Sequence, residues 1–208
     1  MEDAGNFWTW TAIDADSKLI VSWLVADRDA ESANMFMNDV AKRLQNRVQF
    51  TSDGLKACLE AITDFFGSQI DFAQLIKIYG KSEGLNATER KYSPAECTGA
   101  EKIVISGNPD EKHISTSYVE RQNLTMRMHM SRFTRLTNAF SKKIENHCYA
   151  IALHFVYYNF VKIHKSLRVP PAMQAGLIKK LMSIEDIANL IVEEAPKKRN
   201  NYNKKENI

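Results

Sequence analysis

Glu120 is the single carboxylate in Ser115–Met130 (STSYVERQNLTMRMHM), a stretch expected to form a helix. Asn123, Leu124 and Arg127 follow it by three, four and seven residues and so share its helical face. A carboxylate at a helix start, with an amide and a guanidinium below it, suits a metal ion held against a phosphate backbone. The same residues also read as a capping box, with Ser117 as the cap and Glu120 accepting from its backbone N–H. Both readings stand on these residues.

A second carboxylate, Asp53, follows one expected strand and precedes a helix. In open α/β sheets, ligand-binding groups gather at this carboxyl end of a strand. Capping of the helix from Leu55 is its other reading. Asp14 occupies a comparable strand end, but in hairpin-turn chemistry where Asp is expected for its own hydrogen bonding. Two carboxylates distant in sequence can hold Mg2+, which keeps positions for water and phosphate oxygens. A third would allow two metals about 3.5–4 Å apart, the arrangement of in-line phosphoryl displacement. The five histidines are scattered, and His147 and His154 suit helix packing. His164, beside Lys165 and Arg168, could touch phosphate or simply end a helix at the surface. No G-x-G-x-x-G, Walker loop or G-x-S-x-G elbow is present.

The charge distribution fits a polyanion partner. The 208 residues carry a net charge of +3, but residues 1–120 hold 12 basic and 19 acidic side chains. Residues 121–168 hold 9 basic and 1 acidic. The balance changes sign at Glu120. Arg127, Arg132 and Arg135, interleaved with His and Tyr, form either a nucleic-acid footprint or a solvated helical face. Cys58, Cys97 and Cys148 form no C-x-x-C pair, which argues against a disulfide framework or zinc site and for a reducing cytoplasm. No apolar run has membrane-spanning length.

The elements that must position these groups follow from periodicity. Phe7–Ile13 and Leu19–Val25 read as an antiparallel hairpin. Asp29 opens a helix to about Leu44, with Ala33, Phe36, Met37, Val40 and Ala41 on one stripe. A strand at Arg47–Thr51, a helix from Leu55 to Phe66 stopped by Gly67, and a strand at Ile70–Tyr79 come next. Residues 81–108 read as a long loop with a short strand at Lys102–Ile105. The Glu120 helix and a longer one at Thr137–Ile163 follow. Pro170 and Pro171 break the pattern, and a last helix starts at Ser183. The expected class is α/β. Residues 1–168 are expected to form the main domain, 169–195 a helical extension and 196–208 a basic disordered tail.

TSDG at Thr51–Gly54 and the run from Ser115 to His147 resemble transposases of bacterial insertion sequences, most closely the insertion-sequence-one type. The segments WTWTAIDADSKLIVSWLVADRDA, AECTGA, SGNPDEKHIS and YYNFVKIHKSLRVPPAM are similar too. The resemblance covers nearly all of residues 7–192. It implies a ribonuclease H-like DDE catalytic domain, a mixed sheet flanked by helices, in a bacterial or archaeal cytoplasm. Asp53 would be the second catalytic carboxylate and Glu120 the last, with Mg2+ or Mn2+ in a two-metal site. The implied partners are terminal inverted repeats, target DNA and further copies of the chain. The implied chemistry is DNA cleavage and strand transfer. Read from the residues themselves, Asn123, Arg127, Arg132 and Arg135 are expected to make phosphate contacts if the chain only binds DNA, and His164 with Lys165 beside it could touch phosphate.

The chain departs from that pattern at its start. Ribonuclease H-like domains place three strands before the first helix and the first Asp on the first strand. Here two strands precede Asp29, and Met1–Gly5 has no D-E-x-W motif. An N-terminally truncated, catalytically impaired copy is therefore expected, with Asp14 as the stand-in for the missing acid. The competing expectations are a non-catalytic DNA-binding or oligomerising regulator and a nuclease acting on RNA–DNA hybrids.

Overall fold

The computed structural model describes residues 7–80, 97–134, Asn138 and 143–190. The chain is a mixed α/β protein whose described strands fall into two separate sheets. Strands β1 (Trp8–Ile13) and β2 (Ile20–Ala26) form an antiparallel hairpin. Strands β3 (Gln49–Ser52), β4 (Asp71–Tyr79) and β5 (Cys97–Ser106) form the second sheet, parallel between β3 and β4 and antiparallel between β4 and β5. Helix α1 (Ala30–Arg43) joins β2 to β3, and α2 (Lys56–Phe66) joins β3 to β4.

The start of α1 and the end of α2 each have a local cause. Asp29 caps α1, its Oδ1 accepting from the Ser32 amide at 2.8 Å. Helix α2 ends at Gly67, whose φ of +51° suits a residue without a Cβ. Ala33, Phe36, Met37 and Val40 turn inward from α1 and meet Cys58, Ala61 and Ile62 of α2. This core continues under both sheets, because Trp10 and Leu24 of the hairpin and Phe50 and Phe72 of the second sheet pack on it. One apolar layer thereby supports two sheets that share no hydrogen bonds.

The other face of the hairpin carries Trp23 and Val25 against a second core of Ile20, Met126, Ile151, Phe155 and Tyr158. Apart from Ile20 of β2, these come from α3 (Ser117–His129) and α4 (Ile144–Val156), the latter continued by a π turn at Tyr157–Val161. Asn159 on that turn is buried and behaves as a short strand. Its Nδ2 donates to the Ile20 carbonyl and its Oδ1 accepts from the Ile20 amide, both at 3.0 Å.

Several boundaries differ from the sequence expectation. The short strand expected at Lys102–Ile105 is ten residues long, drawn out by pairing with β4. The expected Thr137–Ile163 helix is described as α4 and its π turn, while 137 and 139–142 lie outside the described residues. Pro170 and Pro171 start an element, capping and opening the short α5 (Pro171–Gln174), because proline at a first helical turn loses no hydrogen bond. The last helix, α6 (Ile184–Ala188), is begun by a capping box between Ser183 and Asp186. No helix among the described residues is long and apolar enough to cross a membrane.

Candidate functional site

Asp53 stands immediately beyond β3, at the strand's carboxyl end. Its Oδ1 accepts weakly from the Leu55 amide at 3.3 Å, and its Oδ2 lies 3.9 Å from Arg28 Nη2. Local turn-making and availability to a ligand thus coexist, since the side chain is 63% exposed. The buried Gln74 of β4 donates to the Asp53 carbonyl at 3.1 Å and to Ser52 Oγ at 3.4 Å. That contact fixes the backbone from which the carboxylate projects.

Glu120 lies in the first turn of α3, but the anticipated capping box is not formed. Thr116 is the cap residue, and its hydroxyl donates to Glu120 Oε1 at 2.7 Å. Lys77 Nζ of β4 sits 2.6 Å from Oε2. Both carboxylate oxygens therefore have partners. Partial burial pushes the Glu120 carboxyl up, yet the Lys77 ammonium and the Thr116 hydroxyl outweigh it and hold the group below the usual glutamate range. Lys77 is correspondingly raised by Glu120.

Asp53, Glu120 and Asn123 line one cleft of about 300 Å3 between β1, β3 and α3. Arg28 and Thr116 share its wall. The floor is apolar and includes Cys58, whose thiol is pushed up to about 11 by burial and then by the nearby Asp53 charge. Cys58 is thus a packed thiol at neutral pH. Two carboxylates lining one cleft are oxygen donors of the kind that Mg2+ takes together with water and phosphate. Such a cation would have to displace Lys77 from Oε2. Among the described residues no group of three His, Cys, Asp or Glu side chains is arranged to hold a metal.

Asp14 is at the opposite end of β1 from Trp8, in the hairpin turn. Its Oδ2 accepts from the amide and hydroxyl of Ser17, and Oδ1 from the Asp16 amide at 3.4 Å. Burial raises the Asp14 carboxyl, but those hydrogen bonds and Lys18 bring it below the usual range. It does not line the cleft.

The basic candidates divide into groups. Arg127 is exposed on the α3 face below Glu120. Arg132 Nη1 donates to the Asn146 carbonyl at 3.0 Å and so ties the turn after α3 to α4. Arg135 lies outside the described residues. His164 is half-buried, edge-on to Tyr158, with Nδ1 3.0 Å from Ser166 Oγ, and Lys165 beside it is exposed. Burial and then the charges of Lys18, Lys162 and Arg121 lower His164, which marks a cationic neighbourhood assembled from the hairpin turn, α3 and the π turn.

Sequence reasoning did not single out Arg28, Gln74 or Lys77. Lys77 and Glu120 are 43 residues apart, so only the pairing of β4 beside α3 reveals their contact. Nor did it bring His129 and His154 together, whose ring centroids are 5.9 Å apart. His154 is buried, its Nε2 has no hydrogen-bond partner among the described residues, and burial, then His129 and Lys162, pull it down to about 4.

That shift predicts a pH effect. The unfolded chain protonates His154 below about 6.5, whereas the folded chain resists until about 4. Its contribution is complete above the unfolded value and is lost as pH falls through this window. Denaturant midpoints should drop between pH 7 and 4.5, and His154→Leu should flatten that part of the curve. An unchanged slope in the variant would show that His154 is not the titrating group.

Comparisons of the chain with protein families, curated proteins and solved structures found no match.

Proposed function

We propose that this chain is a DNA-acting module of the insertion-sequence transposase type, built on a ribonuclease H-like arrangement. The observation that carries the reading is the convergence of Asp53 and Glu120 on one cleft, although 67 residues separate them. The order hairpin, helix, strand, helix, strand, with Asp53 after the third strand and Glu120 on a later helix, supports it.

In this reading Asp53 and Glu120 supply oxygens to one Mg2+ or Mn2+ bound with DNA, and Thr116 orients the Glu120 carboxylate. When bound, such a cation supplies Lewis-acid polarisation of phosphate and an activated water. Asn123 and Arg127 continue the Glu120 stripe along α3 and would hold the phosphodiester beside it. Lys18, Arg121, Lys162, His164 and Lys165 extend a positive surface for the duplex, including terminal inverted repeats and target DNA. Several copies would join in a transposition complex.

A second reading is a non-catalytic DNA-binding or oligomerising module that regulates an intact transposase. Lys77 at Glu120 and Arg28 near Asp53 favour it, because both carboxylates already have cationic neighbours.

Binding to labelled inverted-repeat and unrelated duplexes across a salt series, followed by Mg2+-dependent nicking, separates these readings. Binding should weaken steeply with salt, by about 0.9 in log–log slope for each phosphate contact. Arg127→Ala and Lys165→Ala should each lower the slope by roughly that amount. Weak nicking abolished by Asp53→Asn and by Glu120→Gln supports the catalytic reading. Binding without nicking supports the second, and salt-independent or absent binding overturns both.

A further inference from the structure

Among the described residues, two that are not glycine have a left-handed backbone, and both are basic. They are Lys18, with φ of 61°, and Arg168, with φ of 60°. Glycine or asparagine is the usual occupant of such positions, because a Cβ is strained there. Strain kept for the sake of a side chain gathers at ligand sites. These two residues share a neighbourhood. Lys18 lies in the hairpin turn, its ammonium 3.8 Å from the centroid of the Tyr118 ring on α3. Arg168 closes the loop after the π turn, its amide donating to the His164 carbonyl at 2.8 Å. His164 stands edge-on to Tyr158, within reach of the charges of Lys18, Lys162 and Arg121.

The cations gathered there have no counter-ions. Arg28, Arg43, Arg47 and Lys77 each sit 3.9 Å or less from a carboxylate. Among the described residues Lys18, Arg121, Lys162 and Arg168 make no such pair. Lys162 Nζ is instead 3.3 Å from His129 Nε2, and Lys18 donates to the Ala15 carbonyl. The acid beside Lys18 is Asp14, whose oxygens are engaged by Ser17 and the Asp16 amide. Val119, Glu120 and Asn123 face the Asp53 cleft, and 3.6 residues per turn put Tyr118, Arg121 and His129 on the opposite side of α3. The unpaired cations thus lie on a second surface, behind the helix that carries Glu120.

We propose that Lys18, Arg121, Lys162, His164 and Arg168 form a site for a phosphate oxyanion, and that His164 takes up one proton from solvent as the anion binds. Without an anion, burial and then the three neighbouring cations hold the ring neutral at pH 7. A bound oxyanion reverses the sign of the field at the ring and favours imidazolium. The imidazolium then donates a charge-assisted hydrogen bond. Nδ1 is 3.0 Å from Ser166 Oγ, and Nε2 is the nitrogen left for the anion. Tyr158, the other titratable group against the ring, is pushed up by burial and stays neutral. His129 and His154 adjoin Lys162, and its charge lowers both. A nucleic-acid backbone and a free phosphate group offer the same oxygens. The backbone as source rests on the function proposed above, and the site itself does not.

Sulfate is the probe, because its charge is constant between pH 8 and pH 6. Calorimetry of the full chain in two buffers of unlike ionisation enthalpy counts the protons. One saturable site is expected, tightening by about tenfold from pH 8 to pH 6, within the ceiling of about one decade per pH unit for one proton. At fixed pH, sulfate should move the His164 ring resonance toward the imidazolium form. His164→Gln should bind sulfate without pH dependence, and His129→Gln should keep it. Lys18→Gly and Arg168→Gly relieve a left-handed backbone, so folding should hold. Each should nevertheless weaken sulfate binding by about tenfold, the loss of one hydrogen bond to a charged group. Absence of saturable sulfate binding, unchanged affinity in both glycine variants, or pH dependence surviving in His164→Gln would overturn the proposal. Duplex DNA that displaces sulfate supports the site with the backbone as its source. Duplex that binds elsewhere and leaves sulfate in place supports it with a free phosphate group instead. Loss of duplex binding with sulfate-linked proton uptake intact would remove the DNA-acting reading and keep the site.

Discussion

Replacing Asn159 with Leu should lower the unfolding free energy by about 2–6 kcal/mol, because it strands two buried main-chain groups at a cost of about 1–3 kcal/mol each. The side chain is of similar size, so no large cavity contributes. Asn159 donates to and accepts from Ile20, and Ile20 is itself in the core that joins the hairpin to α3 and α4. The loss should appear as a lower urea midpoint with an unchanged slope. Asn159→Asp keeps an acceptor for the Ile20 amide but sets a carboxylate against the Ile20 carbonyl, and should also destabilise. A change below about 1 kcal/mol in the Leu variant would mean that the paired contact is not made in solution.

Lys77→Met should strengthen divalent-cation binding at the Asp53–Glu120 rim by on the order of tenfold, equivalent to about 1.4 kcal/mol. The ammonium occupies Glu120 Oε2 at 2.6 Å, and any incoming cation must displace it and then tolerate its charge nearby. The Lys77 and Glu120 side chains are 30% and 47% exposed, so their pairing is worth no more than about 1 kcal/mol. Removal of the competing positive charge accounts for the rest. Methionine preserves the length and apolar stem, so β4 should remain paired. Titration with Mn2+ measures the change. Unaltered or weaker affinity would show that Lys77 is not a competitor for that oxygen.

The elements legible in the sequence are those with local causes. The hairpin followed from β-forming residues around a turn, and α1 from a three-and-four stripe opened by Asp29. Asp53 was placed correctly at a strand end because a polar turn separates two apolar runs there. What was not legible depends on neighbours distant in the chain. Cys97–Ser106 has few β-formers in its first half and is extended by its pairing with β4. The α3 cap moved by one residue, from Ser117 to Thr116, and that step replaced a backbone acceptor role for Glu120 with a hydroxyl contact. Strand positions alone also said nothing of which edges would remain open, so the separation of the hairpin from the second sheet appeared only in three dimensions. Gln74 and Lys77 gained their roles by the same route.

In the proposed reading, Asp53 and Glu120 act together on one cation. Mn2+ binding to the full chain, followed by electron paramagnetic resonance of the free ion with and without duplex DNA, tests it most directly. One site is expected that tightens when DNA is present, is lost in Asp53→Asn and in Glu120→Gln, and is no weaker in the double variant than in either single one. Retention of the site in either single variant, or independent additive losses, would contradict it.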